Sequence, residues 1–361
     1  MKVVVVGGGV IGAASAWSLA KRGHVVTLVE QFQPGHKSGA SHGTSRIFRH
    51  AYAEDYYVGL AARAYTLWRE LEIDTGTDLL TITGAVDHGV PDIVRPRIEA
   101  LRRAGLAGEV LDPNEAHRRW PGMTFDTTVL HHPDAGRLHA DRSVAALTAA
   151  AEKLGVRTEY GSAVREILRT EVSTDVGSFA ADHVVVAAGA WTSRIASAHV
   201  SMPELVTTQE QPAHFLPILD ASWPSFVHHP GAALQTEGIY GLASEDGVKI
   251  GEHGTGPVVD PDTREFTPAP EGVERLKSYA RAWLPGVDVD SADPLTCLYT
   301  TTADSNFIVD RSGNLTVAAG FSGHGFKFAP AVGELVADLV DGRTLGTALF
   351  ELGPRTRESA A

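Results

Sequence analysis

The 361-residue chain contains a single cysteine, Cys297, and a glycine-rich segment at residues 320–328 follows it closely. A thiolate can attack the 8α carbon of an oxidised flavin ring and form a stable thioether. A glycine-rich turn lets backbone amides approach the electron-accepting edge of such a ring. A lone cysteine is more commonly a buried and inert small hydrophobe. Attachment of a flavin to Cys297 is therefore predicted only because of the motifs that accompany it.

Three glycines near the N-terminus have the spacing of a dinucleotide-binding turn: Gly7, Gly9 and Gly12. They lie between a β-branched run at residues 2–6 and helix-favouring residues 13–21, so that the third lets helix and strand pack closely. Glu30, which ends the next apolar run, is placed to accept hydrogen bonds from ribose hydroxyls. The pattern predicts a bound dinucleotide without separating NAD from FAD, and together with Cys297 it favours a tethered flavin.

A polar segment at residues 41–52 follows the second predicted strand and contains two arginines, Arg46 and Arg49. Exposed arginines on a solvated loop are the more common explanation of such a segment. In the functional interpretation, one guanidinium faces the flavin and the other forms a bidentate clamp on a substrate carboxylate. Lys327, inside the glycine-rich segment, would supply the second cation of that clamp.

Lys249 and His253 are four residues apart on a predicted strand, which places both side chains on one face. A lysine that reaches from a sheet into solvent, beside a solvated histidine, is the ordinary explanation. Near a flavin, however, a fixed cation would stabilise superoxide as dioxygen takes up an electron. Tyr240 would be a core residue if it were isolated; the alternative is contact with the substrate amine.

The formal net charge of −13 argues against nucleic acid and anionic membranes as partners, because phosphate binding requires a concentrated basic face. Apolar residues make up 43% and charged residues 21%, which is typical of a globular protein and excludes wholesale disorder. No apolar stretch reaches the length of a membrane span, and one cysteine cannot form an intrachain disulfide. We expect a cytoplasmic protein, monomeric or homodimeric, without a metal site.

The chain is too long for one ordinary core, so one large or two intertwined domains are expected. The N-terminal segment has the order strand, turn, helix, strand, which is typical of a βαβ nucleotide-binding module. A buried strand predicted at residues 183–187 brings the chain back to this module. From residue 207 to residue 290, alternating strands and turns indicate a largely antiparallel sheet. The pattern therefore predicts a combined α/β and α+β fold.

Several segments, in the same order and spread over most of the chain, resemble the monomeric sarcosine oxidase and N-methyltryptophan oxidase family. That family is part of the wider group of glycine and D-amino-acid oxidase flavoproteins. The similar segments are residues 7–12, 41–52, 119–122, 187–191, 238–241, 249–253, 296–300 and 318–328. The last two segments are highly specific for the family.

The resemblance implies FAD in an extended pose, joined through a thioether at Cys297. The residues expected to contact FAD are Gly7, Gly9, Val10, Ile11, Gly12, Glu30, Ser41, His42, Arg46, Val164, Ala188, Gly189, Trp191, Cys297, Gly323, His324, Gly325, Phe326 and Lys327. It also implies a Rossmann-like FAD-binding domain, as in glutathione reductase, with an inserted, mainly antiparallel-sheet substrate domain like that of p-hydroxybenzoate hydroxylase. The FAD-binding domain is assigned to residues 1–82, 140–205 and 294–361, and the substrate domain to residues 83–139 and 206–293.

The resemblance further implies a catalytic site in which Arg49 and Lys327 hold the substrate carboxylate and Lys249 is the oxygen-activating cation. Four further residues would border the flavin or the substrate: Arg46, His42, Tyr240 and His253. The implied reaction is oxidation of a secondary amino acid, N-methyl or cyclic, at a C–N bond. A hydride equivalent passes to the flavin, dioxygen is reduced to hydrogen peroxide, and the imine product hydrolyses.

Other functions are compatible with parts of this pattern. The first is an FAD-dependent dehydrogenase that forms an imine from a cyclic amino acid and passes electrons to a carrier instead of dioxygen. The second is a flavin-binding protein without turnover, which convergence of Arg49, Lys249 and Lys327 in one cleft would argue against. The third is an NAD-dependent dehydrogenase, in which Cys297 and the glycine-rich segment would have no purpose.

Overall fold

The computed structural model describes residues 1–231, Thr236 and residues 238–354. The helices within these residues are α1 Val10–Lys21, α2 Asp55–Thr75, α3 Pro91–Arg103, α4 Pro113–Arg119, α5 Ala140–Lys153, α6 Thr192–Ala196, α7 Pro270–Trp283 and α8 Ala329–Val340. None of these described helices is both long enough and apolar enough to cross a membrane.

The strands form five sheets within the described residues. In chain order they are β1 Lys2–Val6, β2 Val25–Glu30, β3 Arg46–Phe48, β4 Leu80–Ile82, β5 Ala85–Gly89, β6 Glu109–Leu111, β7 Val129–His132, β8 Gly136–Leu138, β9 Arg157–Tyr160, β10 Val164–Ile167, β11 Glu171–Thr174, β12 Gly177–Ala180, β13 His183–Val186, β14 Val206–Glu210, β15 Ala213–Phe215, β16 Ser225–His229, β17 Ile239–Ser244, β18 Gly247–Glu252, β19 Asp293–Pro294, β20 Cys297–Thr301, β21 Ile308–Ser312 and β22 Leu315–Ala319. Two of the sheets are large, and each is built around its own buried core.

The first large sheet has the strand order β21-β22-β13-β1-β2-β9, and its neighbours are parallel except at β21. Its central strand β1 is buried on both faces, which explains the unbroken valine run. Val3 and Val5 face a core that includes α1, α5 and α8, while Val4 and Val6 face residues of the antiparallel strands β10 to β12. The end of β1 and the start of α1 therefore lie together at one edge of this sheet.

The second large sheet has the order β19-β15-β18-β17-β16-β5-β7-β6 and is antiparallel except where β16 runs parallel to β5. Alternate residues such as Phe226, Val248 and Ile250 pack with Leu276 and Tyr279 of α7 in a separate core. A helix that covers one face of an antiparallel sheet is the usual solution for an α+β layer.

Two small sheets connect the large ones. In one, β14 pairs with β20, which places Glu210 opposite Cys297. In the other, β8 pairs with both β3 and β4, which fixes the backbone of Arg46 beside that of Leu138. Through these connections the strands that carry Arg46 and Cys297 are held at the junction of the two large sheets.

The predicted fold class is confirmed, since a parallel-sheet layer and a mainly antiparallel layer are both present. The division into domains stays a prediction. The first large sheet uses strands only from the assigned FAD-binding segments, but β8 and β14, assigned to the substrate domain, pair with strands from the other side. The last part of that assignment, residues 355–361, lies outside the described residues.

Candidate active site

A cavity of about 1220 Å³ extends along the first large sheet. Most residues expected to contact FAD line it: Gly7, Gly9, Val10, Ile11, Glu30, Ser41, His42, Arg46, Val164, Ala188, Gly189, Trp191, Cys297, Gly323, Gly325 and Phe326. Gly12, His324 and Lys327 lie outside this lining. The dinucleotide turn and the single cysteine, which are almost 300 residues apart, therefore belong to one cavity.

The glycine turn at the start of α1 requires glycine for steric reasons. Gly7 has a φ of 104°, and a Cβ on Gly12 would lie 1.8 Å from the carbonyl oxygen of Gly7. Gly9 is the residue before α1, and the next amide, that of Val10, donates to Ser41 Oγ at 3.0 Å. A helix N-terminus with this open backbone is a site for a pyrophosphate. Gly7 permits the turn and packs against the backbone of Ala187, Gly12 permits close packing of helix and strand, and Gly9 is the one placed to leave room for the ligand.

Glu30, at the end of β2, is buried on the cavity wall. Its Oε2 accepts from the amide of Gly8 at 2.6 Å, and its Oε1 accepts from the amide of Phe32 at 2.9 Å. Each carboxylate oxygen has more than one acceptor direction, so the fixed carboxylate can still bind ribose hydroxyls. The turn, the helix N-terminus and this carboxylate together fit the adenosine and pyrophosphate parts of FAD.

Cys297 is buried at the other end of the cavity, next to Arg46. Arg46 Nη2 lies 3.9 Å from Cys297 Sγ, and the guanidinium donates to the carbonyls of Ala40, His42 and Ser45. Its carbon Cζ lies 5.6 Å from the ring centre of Phe326. The structure thus brings the predicted flavin-facing arginine, the cysteine and the glycine-rich segment together.

Lys249, on β18, is buried beside this group and donates from Nζ to the carbonyl of Ser45 at 3.5 Å. Burial, with a contribution from Arg46, lowers the pKa of Lys249 to about 7. Burial and the same arginine lower the pKa of His42 to about 3, so His42 is neutral at physiological pH. Of these two side chains, Lys249 is the one whose pKa lies near neutrality.

Tyr240 and His253 meet at a residue that the sequence analysis did not single out, Tyr299. Tyr240 and Tyr299 are hydrogen-bonded, and burial raises the pKa of both phenols, which keeps them protonated. The rings of His253 and Tyr299 are 5.2 Å apart. Tyr299 is two positions after Cys297 on β20, and this spacing on one face of a strand is the signal that could have identified it.

Arg49 and Lys327 both contact Tyr52. Arg49 Cζ lies 4.6 Å from the centre of the Tyr52 ring, and Lys327 Nζ donates to Tyr52 Oη at 2.9 Å. Burial, and to a smaller extent Arg49, lowers the pKa of Lys327 well below its usual value. Lys327 directly follows Phe326, so this second group of cations adjoins the Cys297 end of the cavity without lining it.

His324 has a different environment from the other predicted cofactor contacts. Its ring lies among aromatic side chains that include Tyr57, Phe307 and Phe328. Its Nε2 lies 3.2 Å from the carbonyl of Ser305, and burial lowers its pKa well below the usual range. The structure places this side chain behind the cavity wall.

A second residue that the sequence analysis did not single out is Asp87. Asp87, on β5, has no exposed surface and forms an ion pair with Arg49, with 3.2 Å between Nη1 and Oδ1. A single aspartate in a short strand carries no local signal, because its partners come from other parts of the chain.

The chain matches the family described as DAO, FAD dependent oxidoreductase, over residues 2–339. Monomeric sarcosine oxidase of Bacillus sp. strain B-0618 is 34% identical, with 93% of this chain and 91% of that protein covered. N-methyl-L-tryptophan oxidase of Yersinia pestis strain Pestoides F is 29% identical, with 93% of each chain covered. A solved structure of L-proline dehydrogenase from P. horikoshii is 26% identical, with a TM-score of 0.83 over 95% of this chain and 94% of that one. The family resemblance is confirmed: the chain belongs to the FAD-dependent oxidoreductases, within the group of the sarcosine and N-methyltryptophan oxidases.

Proposed function

We propose that this protein oxidises secondary amino acids, N-methylated or cyclic, with FAD attached to Cys297 and dioxygen as the electron acceptor. The observation that carries the proposal is that two basic side chains, the partly buried Arg49 and the buried Lys327, meet at Tyr52 beside the Cys297 end of the cavity. Asp87 offsets the charge of Arg49, and a further anion in the site would favour the protonated form of Lys327, whose pKa burial lowers. A substrate carboxylate is such an anion, and the names of the relatives support an amino acid.

The residues of the cavity would hold FAD from end to end. The turn at Gly7 and Gly9 would accept the pyrophosphate, Glu30 the ribose, and Cys297 the 8α carbon of the ring. Bound FAD supplies a two-electron acceptor next to the substrate site. Arg46, anchored by three carbonyls and 3.9 Å from the cysteine sulfur, would border the ring.

Arg49 and Lys327 would orient the substrate by its carboxylate. A planar guanidinium binds a carboxylate through two parallel hydrogen bonds, and the ammonium of Lys327 adds a point charge. Holding the reacting C–N bond in one orientation replaces a random encounter with a prepositioned one, which can supply about 7–11 kcal/mol of the barrier in favourable cases. The phenols of Tyr240 and Tyr299, kept protonated by burial, would line the same pocket.

Lys249 would activate dioxygen. Its ammonium group is buried, lies beside Arg46 and holds a proton at Nζ with a pKa of about 7. A preorganised positive charge in a site without water stabilises the anion that dioxygen becomes when it accepts an electron. The products would be hydrogen peroxide and an imine that hydrolyses in water.

The proposal is tested by a peroxide assay on N-methyl and cyclic amino acids, each compared with its carboxamide. We expect peroxide from secondary amines that carry a free carboxylate and at least about 100-fold lower kcat/KM for the carboxamides, since two charge-assisted hydrogen bonds are lost. Equal turnover of the acids and the amides would contradict the clamp. Preference for primary amino acids would contradict the substrate class.

A second candidate is an FAD-dependent dehydrogenase that acts on a cyclic amino acid with another electron acceptor. The similarity to the L-proline dehydrogenase structure favours it. Reduction of the protein by substrate without oxygen, followed by aeration, distinguishes the two. Rapid return of the oxidised flavin spectrum supports the oxidase, and persistence of the reduced spectrum until an artificial acceptor is added supports the dehydrogenase.

A further inference from the structure

Asp87 is a completely buried carboxylate that four side chains approach. Arg49 Nη1 and His229 Nε2 lie 3.2 Å and 2.9 Å from its Oδ1, and His132 Nε2 lies 3.2 Å from its Oδ2. Arg97, on α3, follows at 3.9 Å from Oδ1. Burial alone would favour the neutral acid, but Arg49 and the two histidines hold the pKa of Asp87 well below its usual value. Asp87 is therefore an anion.

The sheet explains why these groups meet. Strand β5 lies between β16 and β7, with Asp87 opposite Val227 on one side and Leu130 on the other. His229 and His132 are each two residues further along their strands, so their side chains share a face with Asp87. Histidines from both neighbouring strands thus hold the carboxylate, and Arg49, which follows the end of β3, contacts it from outside this sheet.

The hydrogen bonds of Arg49 are all on one side of its guanidinium. Within the described residues, Nη1 donates to the carbonyl of Ala51 and to Asp87. These two bonds use both hydrogens of Nη1. The opposite edge, formed by Nε and Nη2, remains available as a two-pronged donor. That edge has the geometry that a carboxylate binds.

We propose that Asp87 is a positioning residue that turns the Nε and Nη2 edge of Arg49 toward the substrate carboxylate. This inference rests on the proposed function, since it assigns Arg49 to the clamp. The alternative role of Asp87, neutralising the charge of Arg49, has the opposite consequence. Removing a nearby negative charge would strengthen anion binding, whereas removing a support would weaken it.

The test uses the FAD-loaded protein and acetate, a carboxylate that carries no amine. Binding is followed by the change in the visible flavin spectrum, which gives a dissociation constant without turnover. We expect Asp87→Asn to raise the acetate dissociation constant at least about tenfold, as is typical when an outer partner of a ligand-binding group is lost, and Asp87→Glu to restore part of it. An unchanged or lower constant in Asp87→Asn would overturn the positioning role.

Two neighbouring histidines give a matched pair in case Asp87→Asn does not fold. His229 contacts Asp87, while His228, the adjacent residue on β16, contacts Tyr279 Oη instead at 3.1 Å. We expect His229→Gln to weaken acetate binding about threefold, the value of one hydrogen bond, and His228→Gln to leave it unchanged. Equal effects of both variants would overturn the proposal. If the wild type does not bind acetate, the clamp and the role of Asp87 are both overturned. If the wild type binds acetate and the Asp87 and His229 variants bind it equally well, only the role of Asp87 is overturned.

Discussion

At one end of the cavity the wall contains the backbone of a glycine turn, whereas at the Cys297 end the wall and its surroundings contain several basic side chains. The first end depends on the absence of side chains at Gly7 and Gly12, with Glu30 as its buried carboxylate. Around the second end, Lys249 and Lys327 are buried almost completely. A glycine turn binds a nucleotide because its backbone leaves space for the phosphates. Buried charged side chains instead stabilise the charges that develop during a particular reaction.

This difference separates two kinds of failure. A substitution at the glycine turn adds atoms where none fit, so it should prevent folding or FAD binding as a whole. A substitution among the cations removes a charge from an intact cavity, so it should leave FAD bound and change one step of the reaction.

The largest effect is expected at the turn. In Gly12→Ala the new Cβ would lie 1.8 Å from the carbonyl oxygen of Gly7, and backbone cannot move as easily as a side chain. Overpacking costs about 1–3 kcal/mol even where side chains can shift. We expect loss of most bound FAD, measured by absorbance at visible wavelengths, and a lower melting temperature. Gly59→Ala, at a helical position in α2 with nothing within 4 Å, is the control and should melt no lower than the wild type. Full FAD content in Gly12→Ala would show that the turn is not constrained.

The next effect concerns Lys249, whose replacement should act on one half of the reaction. We expect Lys249→Met to slow reoxidation by dioxygen about 100-fold or more, as for loss of one preorganised charge partner, and to leave reduction by substrate within about threefold of the wild type. Stopped-flow measurement of the two half-reactions checks this. Lys153→Met, on the exposed face of α5, is the control. Equal slowing of both half-reactions would remove Lys249 from its assigned role.

A smaller effect is expected at Arg49. Arg49→Lys keeps the charge beside Asp87 but loses the two-pronged donor, so apparent affinity for the substrate should fall about 10- to 100-fold. Steady-state KM and the acetate dissociation constant measure it. The matched variant Arg63→Lys changes a surface arginine that pairs with Glu334 and should alter neither quantity. Unaltered binding in Arg49→Lys would remove this residue from the clamp.

The smallest effect is expected at His183, a residue of the first large sheet that does not line the cavity. Burial lowers the pKa of His183 to about 4, whereas in the unfolded chain it is near 6.5. As the pH falls from about 6.5 to 4, the unfolded chain gains a proton that the folded protein does not, so the free energy of unfolding decreases. In His183→Gln this dependence should become shallower by up to about 1.4 kcal/mol per pH unit. Urea unfolding at several pH values measures it, and the exposed His199→Gln should retain the wild-type slope.

The glycine turn could be predicted from the sequence because its requirements are local. Strand, turn and helix are adjacent in the chain, and the steric need for Gly7 and Gly12 follows from their immediate neighbours. The meeting of Cys297 with Arg46 was anticipated through a family resemblance, since nothing in the spacing of two residues 251 apart indicates contact.

Asp87 could not be predicted because its environment is produced by the sheet. Its partners His132 and His229 are 45 and 142 residues away and become neighbours only when β5 pairs with β7 and β16. Helix α3 is difficult to predict from the sequence for a different reason. Pro96 lies in its interior and removes a backbone donor, which argues against a helix in any local analysis.

The most direct test of the covalent FAD site is acid precipitation of the purified protein. If Cys297 holds FAD through a thioether, the yellow colour stays with the precipitated wild-type protein and is released into solution from Cys297→Ser. Colour in the wild-type supernatant, or colour retained by the Cys297→Ser precipitate, would contradict attachment at this residue.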